Sequence, residues 1–329
     1  MDITLRPADE DDAHAVTAII NEGQPEPEEV DAVRERIRAA RADGRLITRL
    51  VATDADGHVI GYGHALREDW MATGLYWVHV AVASSARCQG VGDALFGAAR
   101  DWATARGATT FLGAARDNLP ESRRFTERHG FRLDRHIFES TLDLAAFDAA
   151  PFTAAIDATR ASGLRFLTMA DAGDTSDAHH ALWELERTVA RDIPGGSESV
   201  IRPFEAFAQR VFDATGYRPE LQFIAADGDT WTGLALTEIA PETNSLYNNI
   251  TGVLPAWRGR GVAQALKLLI IRAAIQRGVA YLRTNNDAEN APMLAINRKL
   301  GYRAEPGYYR MRSDLTAPPI AMQAPGGVQ

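Results

Sequence analysis

The chain has 329 residues, 46% of them hydrophobic and 24% charged, with a formal net charge of −9 at neutral pH. This is the composition of a globular protein with room for two cores of about 150 residues each, and its negative balance works against a nucleic-acid partner, whose phosphates a local basic patch would have to attract. A single cysteine, Cys88, excludes an internal disulfide and a cysteine-based zinc site; the histidines show no metal-ligand spacing, and neither a leader-like start nor an apolar run of membrane length occurs, so no metal, no membrane and a cytoplasmic location are expected.

In chain order, Ile3 to Arg6 alternates as a short strand, and Pro7 to Asp12 supplies a turn and an acidic start for a helix over Ala13 to Asn21. Gln24-Pro25-Glu26-Pro27 breaks that helix before a second one from Glu28 to Arg41. Leu46 to Thr53 and Val59 to Leu66 flank the acidic turn Asp54-Ala55-Asp56-Gly57, which predicts a hairpin. Leu75 to Val82 is the next strand, apolar nearly throughout and therefore central. Arg87-Cys88-Gln89-Gly90-Val91-Gly92 follows and opens a helix that runs to about Arg106.

The alanine-rich stretch from Asp143 to Ser162, with Pro151, reads as a link, so domains 1–150 and 151–315 are expected, followed by a disordered proline-rich tail, 316–329. Gly163 to Thr168 then repeats the opening strand, Ala178 to Asp192 the first helix, Ile193-Pro194-Gly195-Gly196 the break, and Arg202 to Thr215 the second helix. Leu221 to Ala225 and Trp231 to Glu238 form a second hairpin, leading to a strand over Leu246 to Val253. Each half thus reads strand, two helices, three strands, helix, strand, helix, strand.

After that strand comes Arg258-Gly259-Arg260-Gly261-Val262-Ala263, at the start of a long helix. Arg87 and Arg258, Gly90 and Gly261, Gly92 and Ala263, and Gly130 and Gly301 are each 171 positions apart, a regularity that duplication of a whole domain explains. Glycines at such a turn keep Cβ atoms away while unpaired N–H groups gather at the positive end of a helix, a place that holds phosphate. No Gly-Lys-Ser/Thr follows and Gly-x-Gly-x-x-Gly is absent, which sets aside the Walker loop and the dinucleotide fingerprint.

Pro255, Arg258, Gly261 and Ala263, with Asn290 and Leu300-Gly301-Tyr302 downstream, resemble the GNAT family of acyl-CoA N-acyltransferases. The resemblance implies an α/β (α+β) fold of two tandem domains, each a mixed twisted sheet flanked by helices and splayed at its middle, with acetyl-CoA as co-substrate. It implies that the backbone of Arg258, Gly259, Arg260, Gly261, Val262 and Ala263 cradles the pyrophosphate, the arginine side chains adding positive charge. It further implies that a bulged strand containing Thr251 and Val253 receives the pantetheine arm, that Asn290 belongs to the closing segment, and that Val82, Arg87, Gly90 and Gly92 are the counterparts in the first half.

Acyl transfer to an amine needs a group to take its proton, and Glu238, at the end of the strand nearest the middle of the sheet, is the first carboxylate to consider, with Glu242 behind it; a solvated strand-end glutamate is the alternative. Asn297 stands where many family members have a tyrosine that protonates the leaving thiolate; an amide can only hydrogen-bond there, and a thiol of pKa about 8.5 leaves without obligatory help. Asn248 and Asn249 are poor strand formers, and with the polar Thr251 they are expected to face a cavity or a sheet edge. In the first half Thr126 takes the tyrosine position, Pro120 enters the closing helix and Asn118 is one residue out of step, so catalysis is assigned to the second half; His64 and His79 read as buried strand residues rather than bases.

Acceptors in this family enter over the first two helices, where Glu184, Glu186, Asp192 and Glu198 offer negative charge to a cation. Asp192, Glu198 and Asn249 are the expected substrate contacts. The resulting expectation is transfer of acetyl to a primary amine of a small molecule by a monomer of two pseudo-symmetric domains or a homodimer, with a non-catalytic acyl-CoA-binding or scaffold protein as the alternative.

Overall fold

The computed structural model describes residues 2–22, 27–40, 46–192, 202–240 and 243–315. Its backbone contacts group into two units, Met1–Asp134 with Tyr309–Gln329 and, separately, Arg135–Tyr308. In unit 1 the strands are β1 (Thr4–Pro7), β2 (Leu46–Thr53), β3 (Val59–Arg67), β4 (Leu75–Val82) and β5 (Thr110–Arg116), and the helices are α1 (Ala13–Asn21), α2 (Val30–Ala39), α3 (Val91–Thr104) and α4 (Pro120–Arg128). Strands β1 to β4 pair antiparallel in sequence order, and β5 joins β4 in parallel.

Between the halves run β6 (Arg132–Asp143) and a short helix, α5 (Ala155–Ala161). Unit 2 then repeats the plan with β7 (Leu164–Thr168), α6 (Ser176–Ala190), α7 (Phe204–Val211), β8 (Phe223–Asp227), β9 (Thr230–Ala240), β10 (Ser245–Val253), α8 (Val262–Arg277), β11 (Tyr281–Asp287), α9 (Ala291–Leu300) and β12 (Arg303–Asp314). Strands β7 to β10 are antiparallel neighbours and β11 is parallel to β10. The element order read from the sequence is therefore present in both halves, and the fold is a mixed α/β arrangement; α5 is an addition, formed by the alanine-rich stretch expected to be a link.

The boundary differs from the one expected at 150/151. β6 pairs with β11 from Ile137 to Asp143, inside unit 2, whereas the end of β12 serves unit 1: Leu315 N–H donates to the Thr109 carbonyl, Thr110 Oγ1 to Asp314, and Met311 is fully buried among Tyr76, Phe96 and Phe111. Alternation identifies a strand and its buried face but carries no information about which of two similar sheets it enters. The 316–329 tail lies outside the described residues. Among the described residues no helix is long and apolar enough to cross a membrane.

Unit 2 has a helix layer on each face of its sheet. Ala265, Leu266, Ile270, Ile271 and Ala274 of α8 pack with Leu246 and Val253 of β10 on one face, while Leu182, Leu185 and Val189 of α6 pack with Ile224, Leu234 and Leu236 on the other. α6 lies so close to β10 that a Cβ placed on Gly252 would stand 1.8 Å from Val189 Cγ1. Gly252→Ala is therefore expected to lower unfolding free energy by about 1–3 kcal/mol, the range for overpacking, as measured by urea denaturation, and Gly252→Ala combined with Val189→Ala is expected to recover part of the loss.

Candidate functional site

The site in unit 2 begins where β10 leaves β11. Their parallel pairing covers only Ser245 to Asn248, while β9 follows β10 to Val253 across a register shift between Asn248 and Ile250. Asn249 is the inserted residue of this bulge and is exposed. Among the described residues the β11-facing edge of β10 has no strand partner beyond Asn248, so its backbone groups are available to an extended ligand.

The bulge is held by the Asn248 side chain. Its Nδ2 donates to the carbonyls of Leu236 (3.1 Å) and Ile250 (2.9 Å), and its Oδ1 accepts from Thr251 Oγ1 (2.9 Å) and Lys267 Nζ (3.0 Å). Thr284 Oγ1 donates to the Asn248 carbonyl at 2.9 Å. Lys267, on the sheet-facing side of α8, is 1% exposed and lies 5.1 Å from the centre of the Tyr302 ring. Burial pushes its pKa from 10.5 down to about 7. Asn248, expected to face a cavity or a sheet edge, is 1% exposed and turned inward, and Lys267 is legible in the sequence only as a lysine inside an otherwise apolar helical stripe.

Past β10 the chain turns at Gly259 (φ +74°) and Gly261 (φ +81°), and α8 starts at Gly261 with no side-chain cap. The Ala265 amide bonds the Gly261 carbonyl, so the amides of Val262, Ala263 and Gln264 have no carbonyl four residues back in the helix. A Cβ at Gly259 would meet nothing within 4 Å. This turn, the end of β10 and the first turns of α9 enclose a cleft of about 450 Å³ lined by Thr251, Val253, Gly259, Gly261, Asn290 and Ile296 among others. Asn290 caps α9, accepting from the Met293 amide at 3.3 Å. A helix start without a side-chain cap, open space over Gly259 and a strand edge beside the cleft suit a ligand with a phosphate end and an amide-bearing arm.

Arg258 is placed differently from expectation. Its Nε donates to the Val253 carbonyl at 2.9 Å and its guanidinium pairs with Asp192 at 2.6 Å, so it fastens the turn to β10 and to the chain just after α6 rather than reaching out. Asp192 is correspondingly an ion-pair partner at the rim of the cleft. The other acidic groups of α6 are also paired, Glu184 with Arg187 and Glu186 with Arg210 at 3.1 Å each; burial raises the Glu186 carboxyl above its usual range. Glu198 and Glu242 lie outside the described residues.

Asn297 does not line the cleft. It is 3% exposed, its Nδ2 donates to Asn286 Oδ1 at 2.6 Å, and Asn286 continues to Ser140 Oγ at 2.7 Å, because the buried face of α9 points this residue at β11 and β6. Glu238 stands opposite Tyr247 in the β9–β10 pairing. Strand alternation puts both on the sheet face away from α8, the face Leu236 shares with α6. The Glu238 carboxylate has no hydrogen-bond or ion-pair partner among the described residues. Burial, then Glu139, Tyr308 and Glu238, keep the Tyr247 hydroxyl protonated well above its ordinary range.

Unit 1 keeps the scaffold and changes the side chains around it. Arg87 repeats the clamp, donating to the Val82 carbonyl at 3.1 Å and pairing with Glu22 at 3.2 Å, and α3 starts at Gly90 with φ +86°. Cys88, exposed and with φ +59°, takes the place of Gly259. The third residue of α3 is Asp93 where α8 has Gln264; it accepts from Arg128 at 2.6 Å and lies 2.8 Å from His129 Nε2, and these groups outweigh burial to hold its carboxyl below the usual range. The Phe125 ring packs against the same turn, 3.0 Å from where a Cβ on Gly92 would be. A carboxylate and an aromatic ring thus stand at the first turn of α3, while a Cβ on Gly90 itself would meet nothing within 4 Å. His64 and His79, stacked at 5.3 Å between ring centres, are held below the ordinary histidine range by burial, so both remain neutral strand residues as expected. Among the described residues, Asp54, Asp56 and His58 are the group whose ligand atoms come within 4.8 Å of one another; Asp54 Oδ1 there accepts the turn amides of Asp56 and His58.

The acetyltransferase (GNAT) family model matches residues 13–131 and 180–302. A mycothiol acetyltransferase from Kocuria rhizophila is 25% identical over 308 residues, covering 88% of this chain and 96% of its own. A GCN5-related N-acetyltransferase from Sphaerobacter thermophilus superposes with a TM-score of 0.70 at 20% identity over 97% of both chains. A tandem GNAT protein from the clavulanic acid biosynthesis pathway does so with 0.67 at 17% identity, over 96% of this chain and 100% of its own.

Two measurements check this geometry. Gly90 and Gly261 share a left-handed backbone, so a valine at either strains the chain comparably, by about 1–2 kcal/mol. Isothermal titration is expected to give one acetyl-CoA per chain, lost in Gly261→Val and kept in Gly90→Val; two equivalents, or loss in the Gly90 variant, would contradict the asymmetry. For Lys267, the unfolded chain holds the proton up to about pH 10.5 and the folded chain only up to about pH 7. Between those values the unfolded state binds more protons, so stability rises with pH. Calorimetry is expected to show Lys267→Met most stabilising, relative to the parent, at or below pH 7, with the advantage shrinking towards pH 10.

Proposed function

The chain belongs to the GNAT acetyltransferase family, and from that premise we propose that unit 2 transfers acetyl from acetyl-CoA to a primary amine on a small molecule. Acetyl-CoA-dependent N-acetylation is the activity of the family and of the curated relatives. The observation that carries the assignment to unit 2 is the cleft of about 450 Å³ at the start of α8, where a Cβ on Gly259 would meet nothing within 4 Å; in the other half Cys88 replaces that glycine, and Asp93 and Phe125 stand at the start of α3. A small-molecule acceptor is supported by the name of the Kocuria relative, and the proposal places the reaction in the cytoplasm.

In this reading the amides at the start of α8 hold the pyrophosphate, and the free edge of β10 from Asn249 to Val253 aligns the arm so that the thioester lies at the bulge. Asn290 and Ile296 form the opposite wall. The acceptor comes from the α6 side, the face that carries Glu238 and Tyr247. Its nitrogen attacks the acetyl carbonyl carbon, the C–S bond breaks, CoA leaves as the thiolate, and the amine proton passes to Glu238 directly or through a water. With Asn297 turned into the core, no proton donor for sulfur is assigned; a thiolate of conjugate-acid pKa about 8.5 is an adequate leaving group near neutral pH. An unpartnered carboxylate beside the bulge is the feature that supports Glu238 as base.

Glu238→Gln keeps the size and removes the base. The rate of CoA release with an amine acceptor found from a panel is expected to fall by about 10²-fold at neutral pH, with a smaller deficit at alkaline pH, where free amine forms without help. An unchanged neutral-pH rate would assign the proton to another route.

A further inference from the structure

Lys267 stands out among the buried charged groups because it faces no charge. Asn248 on β10 and the Tyr302 ring beyond α9 are its polar and π neighbours, and burial is the cause of its depressed pKa. Burying an ammonium costs several kcal/mol even after local relaxation, so a lysine here destabilises the fold relative to leucine or methionine. The stripe of α8 it interrupts, Val262, Ala265, Leu266, Ile270 and Ile271, is otherwise apolar.

What Lys267 does locally is complete the hydrogen bonding of Asn248. Without it, the Asn248 oxygen would keep one donor, Thr251 Oγ1, and the amide could turn over with little loss on that side. With it, both hydrogens and both lone pairs are engaged, and one orientation is fixed. That orientation matters because the Nδ2 bond to the Ile250 carbonyl crosses the inserted residue, Asn249, and the Oδ1 bond from Thr251 reaches the lining of the cleft. The side chain does across the bulge what a strand ladder would do elsewhere.

We propose that Lys267 is a positioning residue for acyl-CoA: from inside the α8 layer it locks the Asn248 amide, which staples the β10 bulge and so sets the strand edge that receives the acyl-pantetheine arm. The inference rests on the reading of the unit 2 cleft as the acyl-CoA site. It explains a buried amine as a stability cost retained for geometry at the cleft.

Lys267→Met has similar length and no donor. Isothermal titration with acetyl-CoA at pH 7 is expected to show a dissociation constant raised about tenfold, the equivalent of one hydrogen bond's alignment, while the melting temperature stays level or rises. Hydrogen exchange of the amides from Asn249 to Val253 is expected to quicken without a general increase in unit 2. Asn248→Ala is expected to weaken acetyl-CoA to a similar degree, and the double variant to be no weaker than either single one, because both act through one staple. Parent-like affinity in Lys267→Met, or additive losses in the double variant, would overturn the proposal. If Lys267→Met does not fold, parent-like affinity in Asn248→Ala overturns it equally. Gly261→Val separates the two readings: if it loses acetyl-CoA while Lys267→Met keeps it, the positioning role fails and the cleft stands; if both keep it, the cleft assignment fails.

Discussion

The parting of β10 from β11 after Asn248 is the constraint on which the site depends. A strand that loses its neighbour inside a folded unit must satisfy its N–H and C=O groups some other way. Here the Asn248 side chain serves the bulge from within, and the remaining edge faces a cleft whose far end is the uncapped start of α8. A free peptide edge and a free helix terminus at the two ends of one cleft match a ligand with amide groups along its arm and phosphate at its end. The bulge also has a packing consequence: Gly252 is pressed against Val189, so the α6 layer is seated on the same few residues that shape the cleft.

Duplication supplied two copies of this scaffold, and the copies have diverged in what fills them rather than in how they are built. The arginine clamp is present twice, Arg87 on the Val82 carbonyl and Arg258 on the Val253 carbonyl, each paired with a carboxylate near the end of an earlier helix. The contents differ, among other positions, in having Cys88, Asp93 and Phe125 where the second copy has Gly259, Gln264 and Ile296. Asp93 adds a carboxylate at the helix start, and Arg128 and His129 bind it there. The two copies thus share a backbone turn and differ in the side chains set around it.

Element order was legible in the sequence because alternation and helical spacing are local, and the glycine turn because its spacing recurs 171 residues away. That Thr251 lines the cleft was legible too, since polar residues in a central strand need a reason to be there; Asn248, read in the same way, is instead buried and holds the bulge. What could not be read were pairings between distant residues. Arg258 with Asp192, Asn297 with Asn286 and Lys267 with Asn248 are separated by 66, 11 and 19 positions, and nothing local distinguishes an arginine that reaches a ligand from one that braces a turn. A lysine amid leucines and isoleucines reads from sequence as one whose stem packs and whose ammonium escapes to water. Only the depth of α8 shows that it does not.

The exchanged final strands bear on how the chain is made. During synthesis the first half emerges with β6 already present, yet that strand pairs with β11, which follows more than a hundred residues later, and the slot beside β5 waits for Tyr309 to Asp314. Neither sheet can close until nearly the whole polypeptide has left the ribosome. The halves are thus obliged to mature together despite their common ancestry, and a gene for either half alone would encode an unfinished sheet with an exposed hydrogen-bonding edge, the kind of surface that recruits other chains.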